Sequence, residues 1–306
     1  MRALSLPGPR EAEVVDVIEP TAGPGQVLLR ITACGVCGSD LNAWRGVPGI
    51  EYPLTPGAPG HEAIGDVVAL GPDVVEPRIG QTVTGLLWNG FAELAVARAS
   101  DVLPVPSGMG EILGEPLACA MNVVRRANIQ PGDQVALVGF GYLAALIVHL
   151  LPTSCTWVAI ASRAASRELA LRLGAAAAYD FTCVPSDAWD HFPVVIEAAG
   201  VQQTLDYATW LTAYGGRLVV AGYHADAPRT VNMQSWNWKG IEVTNAHERK
   251  PAVYVGALRA AFDALRARPV DLPALHTHHW SLDQVTDAFR AADERPPGFV
   301  KSVIHP

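Results

Sequence analysis

The sequence predicts an α/β chain of two domains: a compact, barrel-like antiparallel β domain and a doubly wound parallel sheet. Two textures carry that expectation. Residues 1–110 are rich in Gly and Pro, with short β-like runs and few helical stretches. From about residue 112 fully apolar strands alternate with helices, the signature of a parallel sheet covered on both faces. A glycine pattern at 139–144, set between one such strand and the next helix, is the third observation.

In chain order, Val27–Thr32 and Ala63–Val68 read as strands, punctuated by turns at Gly23-Pro24-Gly25, Pro56-Gly57 and Gly71-Pro72-Asp73. Val135–Val138 is a buried strand, Tyr142–Leu151 a buried helix and Trp157–Ala161 the next strand. A helix over Ser166–Leu173 ends at Gly174. Val194–Ile196, Leu218–Ala221 and Ile241–Thr244 supply further strands, and a helix spans about Pro251–Arg268. β texture returns at His276–Trp280 and Val300–Ile304, so the chain end folds back onto the first domain. The expected domains are 1–122 with 249–306, and 123–248.

Composition narrows the function. Of 306 residues, 50% are hydrophobic and 17% charged, enough for two cores and too apolar for disorder. A net charge of -8, with basic residues scattered as pairs such as Arg125-Arg126, argues against nucleic acid. No apolar run is a membrane span and no signal peptide is visible, so a cytoplasmic location is expected. The five cysteines at irregular spacing imply no disulfide framework.

Gly139-Phe140-Gly141-Tyr142-Leu143-Ala144 follows a strand and opens a helix, the setting a dinucleotide fingerprint requires. Gly139 makes the tight turn, Gly141 admits a pyrophosphate, and Ala144 is small enough for helix–strand packing. A tight turn without ligand is the bland alternative. At the end of the second strand an NAD site places a carboxylate, but here stand Ser162 and Arg163, with Arg167 a turn later. A hydroxyl and a guanidinium hold a 2′-phosphate that a carboxylate would repel, so NADP(H) is favoured over NAD(H). Alternatively, Arg163 stacks on adenine or points to water.

The second constellation combines Cys37-Gly38-Ser39-Asp40, Gly60-His61-Glu62 and Glu115-Pro116-Leu117. Thiolate, imidazole and carboxylate together suit zinc, and fewer than four strong ligands leaves a position open for substrate. Cys34 with Cys37 also makes a CxxC, whose surroundings do not look like a redox pair.

Taken together, the ordered stretches CGVCGSD (34–40), PGHE (59–62), GEPLA (114–118), GFGYLA (139–144), VVIEAAG (194–200), GGRLVVAG (215–222) and FVKSVI (299–304) resemble the zinc-dependent medium-chain alcohol dehydrogenases. The branch of polyol (sorbitol-type) and threonine dehydrogenases is nearest. The resemblance implies a GroES-like β-barrel catalytic domain plus a Rossmann domain, with the active site between them. It makes Cys37 and His61 zinc ligands and Glu62 a ligand that binds or releases the metal. Glu115 becomes a third or water-bridged ligand, Ser39 the first proton relay and Asp40 a residue that orients the site. Cofactor contacts fall on Gly139, Gly141, Tyr142, Leu143, Ser162, Arg163, Arg167, Ala199 and Gly222. A homo-oligomer, dimer or tetramer, is the expected assembly.

Three departures qualify the resemblance. Residues 63–118 contain no cysteine, so the four-cysteine structural-zinc lobe is missing and one catalytic zinc per chain is expected. Asn42 stands where family members often carry a proton-passing histidine, and Ala144 and Ser162 replace the usual Gly and Asp. The expected reaction is hydride transfer between NADP(H) and a small alcohol or ketone: a polyol, sugar, cyclitol or simple secondary alcohol. A zinc-free quinone or enone reductase of this fold and a nonenzymatic NADPH-binding protein are the rivals. Among the weaker candidates, His276, His278 and His279 read as a sheet face rather than a second metal site. His247, after a predicted strand end, is a weaker candidate for the cofactor cleft, and Trp44 and Trp88 line a pocket or pack in the core.

Overall fold

The computed structural model describes residues 1–306, which divide into two compact units: Met1–Ala118 with Lys250–Pro306, and Cys119–Arg249. The first unit begins with β1 (Arg2–Gly8), β2 (Glu11–Asp16), β3 (Gln26–Gly35), α1 (Asp40–Arg45) and β4 (Glu62–Leu70). β5 (Thr82–Gly85), β6 (Leu94–Arg98) and β7 (Val102–Pro104) lead to helix α2 (Gly114–Ala127), within which both the expected border and the border of the compact units fall. The second unit contains β8 (Gln134–Val138), α3 (Tyr142–Leu150), β9 (Thr156–Ile160), α4 (Ala164–Arg172) and β10 (Ala177–Tyr179). It continues with β11 (Phe192–Glu197), α5 (Gln202–Leu211), β12 (Thr212–Val220), α6 (Met233–Lys239) and β13 (Glu242–Asn245). The chain then returns to the first unit with α7 (Pro251–Ala267), β14 (His278–Ser281), α8 (Val285–Glu294) and β15 (Ser302–His305).

In the first unit seven strands form one sheet, ordered β14-β15-β3-β4-β5-β7 with β6 also on β3. Every pairing in it is antiparallel except β14 with β15. Alternation in β3 explains its place: Val27, Leu29 and Ile31 are buried while Arg30 and Thr32 are exposed. Their apolar face meets Leu4 and Leu6 of β1, Val67 of β4 and Phe289 of α8 in one core. Trp44 belongs to that core, its ring 5.5 Å from Phe289, which decides its ambiguous reading in favour of packing.

The six strands of the second unit are all parallel, ordered β10-β9-β8-β11-β12-β13. Numbered within the unit this is 3-2-1-4-5-6, the doubly wound order of dinucleotide-binding folds. Val135–Val138 is buried throughout because helices cover both faces of the sheet. Sequence periodicity placed five of these six strands but gave no notice of β10, nor of α5, α6 or α8. Those helices are short and mix apolar with aromatic and polar residues.

Phe289 is fully buried between Trp44 and Phe91, both with ring centroids 5.5 Å away. Phe289→Ala should therefore destabilise the first unit by about 3–5 kcal/mol, read as a lower denaturant midpoint with unchanged slope.

Candidate functional site

Cys37 follows the end of β3, while Glu62 opens β4 and His61 immediately precedes it. The antiparallel register pairs Gly35 directly with Glu62, so the two loops emerge side by side. As a result one ligand atom from each of Cys37, His61 and Glu62 lies within 4.8 Å of the others. No other group in the chain combines a thiol with imidazole and carboxylate in this way.

Asp40, the first residue of α1 and fully buried, ties the loops together. Its Oδ2 accepts from the Cys37 backbone N–H at 2.8 Å, and its Oδ1 lies 3.2 Å from His61 Nδ1. The latter approach is an ion contact without the alignment of a hydrogen bond. With Nδ1 turned to a carboxylate, the other ring nitrogen is left as the metal-facing one, an arrangement common behind metal-bound histidines. Ser39 caps α1 and is half-buried, and the exposed Trp88 (63%) lies beside His61 at 5.8 Å between ring centroids.

Lys301, which sequence reasoning overlooked, is buried against Glu62 and makes an ion pair with its Oε2. Gly35 is what admits it: a Cβ there would stand 2.5 Å from Glu62 Oε2 and 2.7 Å from Lys301 Cε. Burial alone would raise the Glu62 pKa, but Lys301 and His61 together hold it below the ordinary value. Burial would likewise lower Lys301, and Glu62 keeps it above its usual range. Desolvation and the Glu62 charge push the Cys37 thiol up, with His61 pulling the other way. For His61 itself burial favours the neutral ring, and Asp40 overrides it to favour the charged one. A dication at this point reverses both preferences, since it binds thiolate and neutral imidazole and releases their protons. The donor set therefore fits zinc.

Glu115 lies in the first turn of α2, half-buried, its backbone carbonyl taken by the Tyr254 hydroxyl, and it is not among the converging ligand atoms. Cys34 is a buried free thiol in the core cluster, and Cys37 is also free. Asn42 is half-buried on α1.

In the second unit Gly139 has φ 87°, and a Cβ there would lie 2.5 Å from that of Ala199. At Gly141, the N-cap of α3, a Cβ would meet nothing within 4 Å and no side chain caps the helix. Tyr142 and Leu143 form its first turn, the end of a helix whose dipole suits an anion. Ser162 is exposed just beyond β9, and Arg163 is the N-cap of α4. Arg167 differs from expectation: its Nη1 donates to the Ala161 and Ser162 carbonyls, each at 2.7 Å, and to Asp180 at 2.9 Å. It braces the turn after β9 instead of reaching outward.

Glu197, buried at the end of β11, was also missed. Its Oε1 accepts from the backbone of Ala199 and Gly200 and from the Thr204 hydroxyl, at 2.7–2.8 Å. Its Oε2 pairs with His224 at 2.9 Å, and its carbonyl accepts from Gly222. One carboxylate thus shapes both loops that carry the expected cofactor residues Ala199 and Gly222. His247 is exposed and stacks on Tyr223 at 6.2 Å.

Gly35→Ala should displace Glu62 and Lys301 and weaken metal retention at Cys37 at least about tenfold, measured by competition with a chelator.

Residues 23–107 match the alcohol dehydrogenase GroES-like domain. D-arabinitol dehydrogenase 1 of Uromyces fabae is 28% identical over 75% of this chain and 77% of its own length. Sorbitol dehydrogenase of Halalkalibacterium halodurans is 25% identical over 89% and 90% respectively. A Sinorhizobium meliloti protein assigned as a zinc-binding dehydrogenase, solved with NADP, superposes with a TM-score of 0.85 at 25% identity, covering 100% of this chain and 99% of its own. Galactitol-1-phosphate dehydrogenase of Escherichia coli, at 19% identity and a TM-score of 0.87 over 100% of both chains, shares the fold. With a match to the GroES-like domain, a doubly wound parallel sheet and relatives of this kind over most of its length, the chain is similar to the medium-chain alcohol dehydrogenases.

Proposed function

We propose that the chain catalyses reversible, zinc-dependent hydride transfer between NADP(H) and a secondary alcohol or its ketone, with a polyol or sugar-like alcohol as substrate. The observation that carries this reading is the convergence of Cys37, His61 and Glu62. The arabinitol and sorbitol dehydrogenases among the relatives support a polyhydroxylated substrate. Ser162 and Arg163 at the turn after β9 support the 2′-phosphate, as does NADP in the Sinorhizobium meliloti structure. The active form is read as a homo-oligomer acting in the cytoplasm.

Cys37, His61 and Glu62 would hold the metal, with Glu115 as a further candidate ligand. Zinc supplies Lewis acidity to a carbinol or carbonyl oxygen when bound, and the nicotinamide supplies or takes up the hydride. Asp40 fixes the His61 ring through Nδ1 and the Cys37 loop through its backbone. Lys301 balances the Glu62 charge and orients the carboxylate that would serve as a metal ligand. Ser39 takes the alcohol proton during oxidation and returns it during reduction. Asn42 cannot titrate, so a proton taken up by Ser39 would pass to solvent without a histidine relay on α1.

Two substitutions test the two halves of the proposal. Cys37→Ala should abolish turnover in a nicotinamide-absorbance assay while NADPH affinity stays within about twofold; retained turnover would favour a zinc-free reductase. Arg163→Ala should weaken NADPH at least about tenfold more than NADH, the cost of losing a charge-assisted pair. Equal losses for the two nucleotides would remove the 2′-phosphate assignment.

A further inference from the structure

Glu111, His279 and His305 lie on elements of the first unit other than the loops that carry Cys37, His61 and Glu62. One ligand atom from each lies within 4.8 Å of the others. Their proximity comes from the sheet. β14 and β15 are parallel, with His279 opposite Val303 and Ser281 opposite His305, so the two histidines are diagonal neighbours on one face. Glu111 comes from the segment just before α2.

Hydrogen bonds on the far sides of these groups prepare them as ligands. His305 Nδ1 is 3.0 Å from the Thr32 carbonyl of β3. A carbonyl only accepts, so Nδ1 carries the proton and Nε2 presents its lone pair. That Nε2 is 3.0 Å from His279 Nδ1. Two nitrogens sharing one zinc at about 2.0–2.1 Å stand roughly 3.3 Å apart in a tetrahedral site, so little movement separates the observed pair from a chelating one. Without metal His279 donates to His305; with metal it takes the other tautomer and both nitrogens face the ion, no net proton being released. Glu111 Oε1 is held at 2.9 Å by Nδ1 of the buried His276, which orients the carboxylate from behind. Its Oε2 lies 3.7 Å from His305 Nδ1. Burial alone would raise the Glu111 pKa, and the hydrogen bond from His276 is the leading influence that brings it below the usual range.

We propose that Glu111, His279 and His305 form a second, surface site for a divalent transition metal, with His276 as the residue that positions Glu111. Imidazole with carboxylate and no thiolate selects ions such as Zn2+, Ni2+ or Cu2+ over Ca2+ or Mg2+. The exposed His279 and half-buried partners leave remaining positions to water, so the ion exchanges readily. It is additional to the one expected at Cys37. Bound there, it clips β14, β15 and the segment leading into α2 together, and stabilises the folded unit by mass action.

The test is Ni2+ titration by calorimetry of protein dialysed to one zinc per chain, with zinc content measured before and after. One Ni2+ should bind per chain without loss of zinc and should raise the Tm. Affinity should fall at least about tenfold in His279→Ala, in Glu111→Gln and in the positioning variant His276→Ala. His279 is exposed, so its substitution leaves the fold and the zinc-supported dehydrogenase rate intact as internal controls. Absence of Ni2+ binding, binding of equal strength in His279→Ala and Glu111→Gln, or uptake matched by zinc release would each overturn the proposal.

Discussion

The pairing of Gly35 with Glu62 across β3 and β4 is the constraint on which the candidate metal centre rests. Residues far apart in the chain meet because two antiparallel strands end at the same level. A slip of one residue would send Glu62 to the opposite face of the sheet and separate it from Cys37. Burial of Val27, Leu29 and Ile31 on one face of β3 holds that register, since any slip exposes the apolar row. The core of the first unit and the chemistry of its loops are therefore one problem, solved by the same strand pair.

Electrostatics complete what the register begins. Asp40 and Glu62 bring two buried carboxylates to one spot, and Lys301 and His61 supply the compensating charge. Breaking a buried pair by removing one partner leaves an uncompensated charge, which is why these groups have to be considered together. The absence of a side chain at Gly35 is part of the arrangement, because Lys301 and Glu62 occupy the space a Cβ would need. In the second unit Glu197 does comparable work with hydrogen bonds alone, fixing the loops around Ala199 and Gly222.

Local sequence carried much of this. The glycine run at 139–144 and the apolar strands around it announced the parallel sheet, because strand burial on both faces leaves a continuous signature. Cys37, His61 and Glu62 were legible as a donor set because their residue types are themselves the chemistry. Lys301 was not, since a lysine just before a strand reads as a solvated charge until its partner is known. The contacts of Arg167 were not legible either: two acceptors are carbonyls of the turn just before α4 and the third is Asp180, beyond β10. The β texture around His278 correctly indicated a strand, yet it concealed the diagonal placement of His279 against His305. The seven-residue α6 has too few turns to show a period, whereas α8 does carry a helical stripe at Val285, Ala288, Phe289 and Ala292 that was overlooked.

The central claim is that sulfur, imidazole and carboxylate from the β3 and β4 loops share one zinc. X-ray absorption at the zinc edge, on protein dialysed free of loosely held ions, tests this most directly. The account predicts a mixed shell, with one sulfur at about 2.3 Å and nitrogen or oxygen neighbours at about 2.0–2.2 Å. A shell without sulfur, or one with four sulfurs, would contradict it.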